Sequence, residues 1–238
     1  GNLDVATAKA KIREARASVR QAGGALYPSL DGSASATRRG TGNSSEASSQ
    51  FQGGFDAAWE LDLFGANRRA VEAAGYGLDA ADEDLRATLL TLVGDVASNY
   101  VEARGFQARI AYARQTAASQ RETEALTRIK FEAGAASAVD LANARGQASS
   151  TEATIPTLET AYAEAVHRLS VLTGRPPAAL KARMAAKEPI PTPALPVPTG
   201  VPADVLRARP DVRVAERQLA QATARIGAAE AARYPNIS

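Results

Sequence analysis

The sequence predicts a mainly α-helical protein in which a long, coiled-coil-like antiparallel helical hairpin carries a β-hairpin insertion. Three observations predict this fold class. Apolar residues recur at helical spacing over two long stretches, from about residue 66 to 132 and from 137 to 173. Residues 29–61 instead alternate apolar and polar side chains, as strands do. The helix pattern at the start of the chain is repeated near its end, which indicates a protein built from two similar halves.

The repeated pattern joins residues 4–31 to residues 211–238, which align without a gap at a constant offset of 207 residues. Both copies alternate large and small residues at steps of three and four and end in Tyr-Pro, as in the a/d seam of a coiled coil. The two seams are Val5, Ala8, Ile12, Ala15, Val19, Ala22 and Val212, Ala215, Leu219, Ala222, Ile226, Ala229. Residues 3–27 are therefore predicted as the first long helix and residues 203–238 as the helix that opens a second repeat. We expect the chain to be a fragment of the two-repeat protein.

Residues 28–64 are predicted to form the β-hairpin, with residues 38–50 as the loop because they are rich in Ser, Gly, Thr and Asn. One face of the second strand carries Phe51, Phe55, Trp59 and Leu61, and the other face carries polar and small residues. The strand pattern leaves two interpretations open. The apolar face could cover a soluble core, or it could meet lipid on the outside of a barrel formed by several chains.

Residues 65–174 are predicted to form the long α-hairpin. Its first helix contains no proline over about 65 residues, which at 1.5 Å per residue is about 100 Å of helix. Residues 133–140 form the tip, where Gly134, Ala135 and Ala136 break the first helix and Ser137 and Asp140 fit a capping box that opens the second. Contact between this tip and a partner is compatible with the cap.

Two features are predicted from the prolines. Pro156 is expected to kink the second helix of the hairpin or to end its first segment. Residues 175–202 are rich in proline and are predicted to form an extended connector.

Composition argues against several classes of protein. The 28 basic and 26 acidic residues are interspersed and not grouped with aromatic residues, which disfavours nucleic-acid binding. The chain has no Cys, and His167 is its single histidine, set among apolar residues at helical spacing, so no metal site or acid–base role is predicted. No phosphate-binding loop, nucleophile elbow or dinucleotide fingerprint is present. We therefore expect no catalytic residues, no cofactor and no enzyme activity.

Three separated segments resemble one protein family. Residues 59–65, Trp-Glu-Leu-Asp-Leu-Phe-Gly, resemble a segment of TolC-type outer-membrane efflux proteins, in particular the NodT-like efflux lipoprotein branch. Residues 131–141 resemble the helix-turn-helix tip of that family, with the pattern G-x-x-S-x-x-D-L. Residues 209–238 resemble the start of its second repeat. The three segments occur in the family's order and cover essentially the whole chain.

The resemblance implies a homotrimeric exit duct in the bacterial outer membrane that extends into the periplasm. Each chain would supply strands to a shared β-barrel and long helices to a periplasmic α-barrel, so this chain would be half of one duct subunit. The lipid-facing strand residues would be Phe51, Phe55, Trp59 and Leu61. Residues 38–50 would be the extracellular loop and residues 175–202 part of an equatorial region.

The resemblance also implies partners. A periplasmic adaptor protein and an inner-membrane pump would dock below the duct, and drugs, toxic small molecules or metal ions would leave through it unchanged. The tip residues Gly134, Ala135, Ala136, Ser137 and Asp140 would lie near the adaptor and the aperture. The lipoprotein branch carries lipid on an N-terminal Cys that this chain lacks. The alternative function is a periplasmic adaptor or scaffold protein, which shares the α-hairpin but needs no lipid-facing strands.

Overall fold

The structure is a computed structural model that describes residues 1–40, 47–192 and 203–237. Its elements run in the order α1 (Leu3–Gly24), β1 (Ser29–Gly40), β2 (Ala47–Ala58), α2 (Ala66–Glu132), α3 (Ala138–Leu172), α4 (Lys181–Met184), α5 (Ala203–Ala208) and α6 (Pro210–Ala231). The mainly helical fold with one β-hairpin is thus confirmed. The chain divides into two compact units: Gly1–Ala6 with Thr88–Gly200, here called the tip unit, and Thr7–Ala87 with Val201–Ser238, here called the strand unit.

In the strand unit, α1, the beginning of α2 and α6 lie side by side. Ala8 and Ile12 of α1 are buried, as are Ala73 and Ala80 of α2. A Cβ added to Gly77 of α2 would meet the Gln221 amide of α6 at 2.6 Å, so only glycine allows this approach without a shift. Small residues therefore bring the helices close together in place of a thick apolar core.

The two copies of the repeated seam have different environments. In α1 the seam residues Ala8 and Ile12 are buried. In α6 the equivalent large residues are exposed, with Leu219 at 69% and Ile226 at 60% exposure. The buried residues of α6 are Ala224 and Ala231, which lie on another face of the helix. α6 therefore meets α2 through its small-residue face, and its seam residues are left exposed.

The β-hairpin is longer at its loop end and shorter at its helix end than predicted. β1 and β2 pair antiparallel over twelve residues each, from Ser29 opposite Ala58 to Gly40 opposite Ala47. Residues 38–40 and 47–50, predicted as loop, are therefore paired, while residues 41–46 of that loop lie outside the described part of the chain. Ladder hydrogen bonds use the backbone, so a Ser- and Gly-rich sequence can extend a strand that its side chains do not indicate.

In the tip unit, α2 and α3 form the predicted α-hairpin. Residues at intervals of seven along α2 are buried between the helices, namely Ala103, Ile110 and Ala117. On α3, Ala148, Ala165 and Leu169 are buried. α3 continues through Pro156 for 35 residues, so of the two expected outcomes the helix end is wrong and the kink stays a prediction. Neighbouring turns maintain the helix although Pro156 offers no N–H.

The connector packs against the α-hairpin through a short helix. Met184 of α4 is buried in a cluster with Ala103 of α2 and with Ala165, Val166 and Leu169 of α3. Residues 175–192 are thus partly folded, which the prediction of an extended connector did not include. Residues 193–202, also predicted as connector, lie outside the described part of the chain.

Candidate functional site

The β-hairpin presents one apolar and one polar face. Phe51 and Phe55 are 80% and 86% exposed, and the ladder register puts Gly32 opposite Phe55 and Ala36 opposite Phe51. The other face carries Ser and Gln side chains together with Asp31, which lies directly opposite Asp56. Like charges in a cross-strand pair repel each other, so this face suits water and not a dry interior. The apolar face, by contrast, is not covered by any residue in the described part of the chain.

Trp59 and Leu61, predicted to share the face of Phe55, lie beyond the end of β2. The Trp59 indole N–H donates a hydrogen bond to the Leu26 carbonyl, at 3.3 Å. The Leu61 amide donates to the Ile237 carbonyl at 2.9 Å and forms an isolated antiparallel bridge. Both are therefore held against the Tyr-Pro ends of the two repeat copies. Lipid contact at these two residues stays a prediction.

The tip of the α-hairpin has the backbone that the sequence predicts. Gly134 has φ of 74°, a left-handed conformation that favours glycine after a helix end. The Ser137 side chain accepts a hydrogen bond from the Asp140 amide at 3.1 Å, and the Asp140 carboxylate accepts one from the Ser137 amide at 3.0 Å. The capping box is confirmed. Hydrogen bonds from the Ser137 hydroxyl and amide hold the pKa of the Asp140 carboxyl below its usual value.

Just above the tip, ion pairs connect α2 and α3 at intervals of seven residues. Arg114 pairs with Glu159, and Arg121 pairs with Glu152 through two hydrogen bonds. The next interval toward the tip brings Arg128 of α2 and Arg145 of α3 to the same carboxylate, Glu124, at 2.9 and 3.7 Å.

Glu124 is the buried centre of this charge cluster. It is 4% exposed and also accepts a hydrogen bond from Arg121 at 2.8 Å. Hydrogen bonding from Arg121, with the charges of Arg121 and Arg128, holds the pKa of the Glu124 carboxyl below its usual value although burial opposes this shift. The carboxylate therefore stays ionised where it neutralises neighbouring arginines.

A second buried cation fixes the connector. Arg104 is 2% exposed and donates hydrogen bonds to the Ala186 carbonyl at 2.6 Å and to the Glu188 carboxylate at 2.8 Å. Its guanidinium lies 5.0 Å from the Tyr100 ring centroid. Gln107 donates to the Met184 carbonyl beside it. These contacts tie residues 184–188 to α2.

Sequence reasoning did not single out Glu124 or Arg104. The signal for Glu124 was present in the sequence, because Arg114, Arg121 and Arg128 recur every seven residues with Glu159, Glu152 and Arg145 in reverse order. Arg104 has no such signal, since its partners are backbone and side-chain atoms of a segment about 80 residues away.

Among the described residues, no three or more His, Cys, Asp or Glu side chains lie where they could hold a metal ion. His167 is exposed on α3. No helix in the described part of the chain is both long and apolar enough to cross a bilayer.

The α-hairpin, the two-faced β-hairpin and the repeated opening helix define one half of a TolC-type efflux channel subunit. Residues 1–175 match the model of the outer membrane efflux protein family, and the chain belongs to that family.

Known proteins with related sequences include efflux components. The chain is 38% identical to Nodulation protein T of Rhizobium leguminosarum bv. trifolii, and the match covers 100% of the chain and 51% of that protein. It is 35% identical to the solvent efflux pump outer membrane protein SrpC of Pseudomonas putida, covering 100% and 51%. It is 31% identical to the cation efflux system protein CusC of Escherichia coli (strain K12), covering 100% and 52%.

Solved structures agree on the fold. The outer-membrane channel OprN superimposes with a TM-score of 0.87 at 32% identity, over 99% of this chain and 54% of that one. A structure of CusC gives a TM-score of 0.80 at 28% identity, covering 99% and 55%. The chain thus spans about half the length of the relatives it matches.

Proposed function

We propose that this chain is part of the outer-membrane channel of a tripartite efflux system, located in the outer membrane and extending into the periplasm. The channel is a passive exit duct for drugs, other toxic small molecules or metal ions, and it has no enzyme activity. Three copies of the complete protein form the duct. Several chains are needed because one β-hairpin has too few strands to close a barrel.

The observation that carries the proposal is the uncovered apolar face of the β-hairpin. Phe51, Phe55 and Leu30 are each at least 70% exposed, although the β-hairpin has a polar face available for water. In a barrel wall the apolar face meets lipid and the polar face, with Asp31 and Asp56, lines the lumen. Family membership supports the same arrangement and gives no support to the alternative of a soluble adaptor or scaffold.

The tip of the α-hairpin is the proposed docking end for a periplasmic adaptor and, through it, an inner-membrane pump. Gly134, Ala135 and Ala136 present little side chain, and the Ser137–Asp140 cap closes the turn on itself. Exposed apolar side chains flank the turn, with Ile129 and Val139 63% and 66% exposed. A partner helix can pack closely against such a surface.

Conductance of the full-length protein in planar bilayers tests the proposal. We expect discrete, passive conductance steps in the absence of any energy source, because the duct is a water-filled pore. A full-length protein that fractionates as soluble and gives no conductance would overturn the channel and favour the scaffold.

A further inference from the structure

At the helix end of the β-hairpin, the strand unit contains a groove of about 780 Å³ between the start of α2 and the end of α6. Apolar and cationic side chains line it together. Leu63, Phe64 and Tyr234 supply the apolar surface, and Arg68, Arg69 and Arg233 supply guanidinium groups. We call this feature the foot groove, because it lies where the strands end and the helices begin.

The wall of the foot groove that carries Phe64 and Arg68 is held in place by specific contacts. Gly65, with φ of 81°, turns the chain into α2, and Asp62 accepts hydrogen bonds from the Asn67 and Arg68 amides at 3.1 and 2.9 Å. The Arg68 side chain donates to the same carboxylate at 3.3 Å and to the Asp62 carbonyl at 2.9 Å. The position of Arg68 is thus fixed by the turn that begins α2.

The opposite wall depends on a ring stack and a glycine. The Phe64 and Tyr234 rings stack with centroids 4.6 Å apart. A Cβ added to Gly227 would lie 3.3–3.4 Å from the Arg69 side chain, so glycine leaves room for Arg69 to lie across α6. Arg69 is held there by Glu72, with Nη1 to Oε2 at 2.6 Å.

Guanidinium hydrogen-bonding capacity remains free in this groove. In their hydrogen bonds to described residues, Arg68 and Arg69 each use only part of their five donors. Arg233 makes no side-chain hydrogen bond or ion pair with any described residue, although Glu230 also lines the groove. Asp62 pairs with Arg68 and Glu72 pairs with Arg69, so with Glu230 the carboxylates at the groove equal its arginines in number, and Arg233 is the arginine without a carboxylate partner among the described residues.

We propose that the foot groove binds the phosphate of a membrane phospholipid, with the glycerol and acyl region of the lipid against Phe64, Leu63 and Tyr234. Guanidinium groups match the geometry of phosphate oxygens and form charge-assisted hydrogen bonds with them. Aromatic side chains favour the boundary between lipid and water, and Trp59 and Tyr27 lie at the same end of the β-hairpin. This inference rests on the proposed position of the β-hairpin in the outer membrane, which puts its helix end at the periplasmic leaflet.

Titration calorimetry of this chain tests the groove with a soluble lipid, dihexanoyl-phosphatidylglycerol below its micelle concentration. Dihexanoyl-glycerol, which lacks the phosphate, and inorganic phosphate, which lacks the lipid, are the comparison ligands. The variants are Arg233→Gln, Arg69→Gln and Gly227→Leu, the last of which displaces Arg69 without changing any charge. Arg13→Gln is the matched control, because Arg13 is exposed on α1 outside the groove.

We expect phosphatidylglycerol to bind and dihexanoyl-glycerol not to bind. Each arginine variant should weaken binding about tenfold, the effect of one charge-assisted hydrogen bond. Gly227→Leu should also weaken it, with helix content checked by circular dichroism, and Arg13→Gln should leave it unchanged. Equal affinities for the wild type and the groove variants would overturn the site, and inorganic phosphate binding as tightly as the lipid would overturn its assignment to a phospholipid. Bilayer conductance of the full-length protein is measured separately, so a failure of lipid binding at the groove is distinguished from a failure of the channel proposal on which it rests.

Discussion

Arg121 of α2 and Glu152 of α3 form a two-pronged ion pair across the α-hairpin, with Nε to Oε1 at 2.7 Å and Nη2 to Oε2 at 2.5 Å. The same guanidinium also reaches Glu124, so one arginine joins a surface pair to a buried carboxylate. Arg128 and Arg145 complete the cluster around Glu124. The cluster links the two helices just above the tip through Arg121–Glu152 and Arg145–Glu124.

Glu124→Gln should destabilise the tip unit at neutral pH, because three arginines lose the buried charge that they share. The pKa of Glu124 in the fold lies below its ordinary value of 4.5, owing first to the hydrogen bond from Arg121. Its contribution is therefore fully present above pH 4.5 and is lost as the pH falls through the folded pKa. Urea midpoints of wild type and variant should differ at pH 7 and converge in acid. Glu132→Gln, at an exposed position, is the control, and a difference that is independent of pH would contradict this role.

Ser137→Ala should lower the free energy of unfolding by about 1 kcal/mol, since it removes the side-chain cap of α3. Urea unfolding followed by circular dichroism measures this loss. Ser150→Ala, on the exposed middle of α3, should be neutral or slightly stabilising because alanine favours the helix. Equal effects of the two substitutions would show that the cap contributes nothing to stability.

Gly174→Ala should destabilise the fold by more than about 1 kcal/mol. Gly174 has φ of 69°, and a Cβ there would clash with the backbone of Gly1. Gly105→Ala is the matched control, since nothing lies within 4 Å of a Cβ at that helix position and stabilisation of up to about 1 kcal/mol is expected. Thermal unfolding of both variants checks the prediction, which fails if Gly174→Ala unfolds at the wild-type temperature.

Phe55→Arg in the full-length protein should oppose membrane insertion by about 2–4 kcal/mol if Phe55 lies near the bilayer midplane. Gln52→Arg lies on the other face of the same strand and should insert normally. Folding into phosphatidylcholine vesicles, followed over a urea series, measures both. The opposite order of effects would mean that the polar face meets the lipid.

Ala135→Glu in the full-length protein should impair efflux without loss of trimers, because a bulky charge at the tip hinders close packing of a partner helix. Ala153→Glu, at an exposed position of α3 away from the tip, should leave efflux unchanged. Drug accumulation in cells and cross-linking of trimers report the two properties. Wild-type efflux by Ala135→Glu would remove the tip from the proposed docking surface.

Local sequence signals predicted the parts of the fold that depend on local chemistry. The period of apolar residues predicted the long helices, and Ser137 and Asp140 predicted the cap, because both depend on residues a few positions apart. The strand ends were mispredicted because the backbone ladder carries pairing through residues 47–50 without apolar side chains.

Long-range relationships could not be predicted in the same way. The seam period identifies an apolar stripe on α6 but not whether another helix covers it, and Leu219 is exposed where its counterpart Ile12 is buried. Arg104 is buried only because residues 184–188 fold back over it. Contacts between distant segments depend on tertiary packing, which a single-sequence pattern does not contain.

The short segment after β2 reaches the ends of both repeat copies. Trp59 holds Leu26, Leu61 bridges Ile237 and Phe64 stacks on Tyr234, all within six residues. A displacement of the strands would therefore pull on both Tyr-Pro corners at once. Residues 59–64 are therefore a shared attachment point, through which a movement of the strands reaches both copies of the repeat.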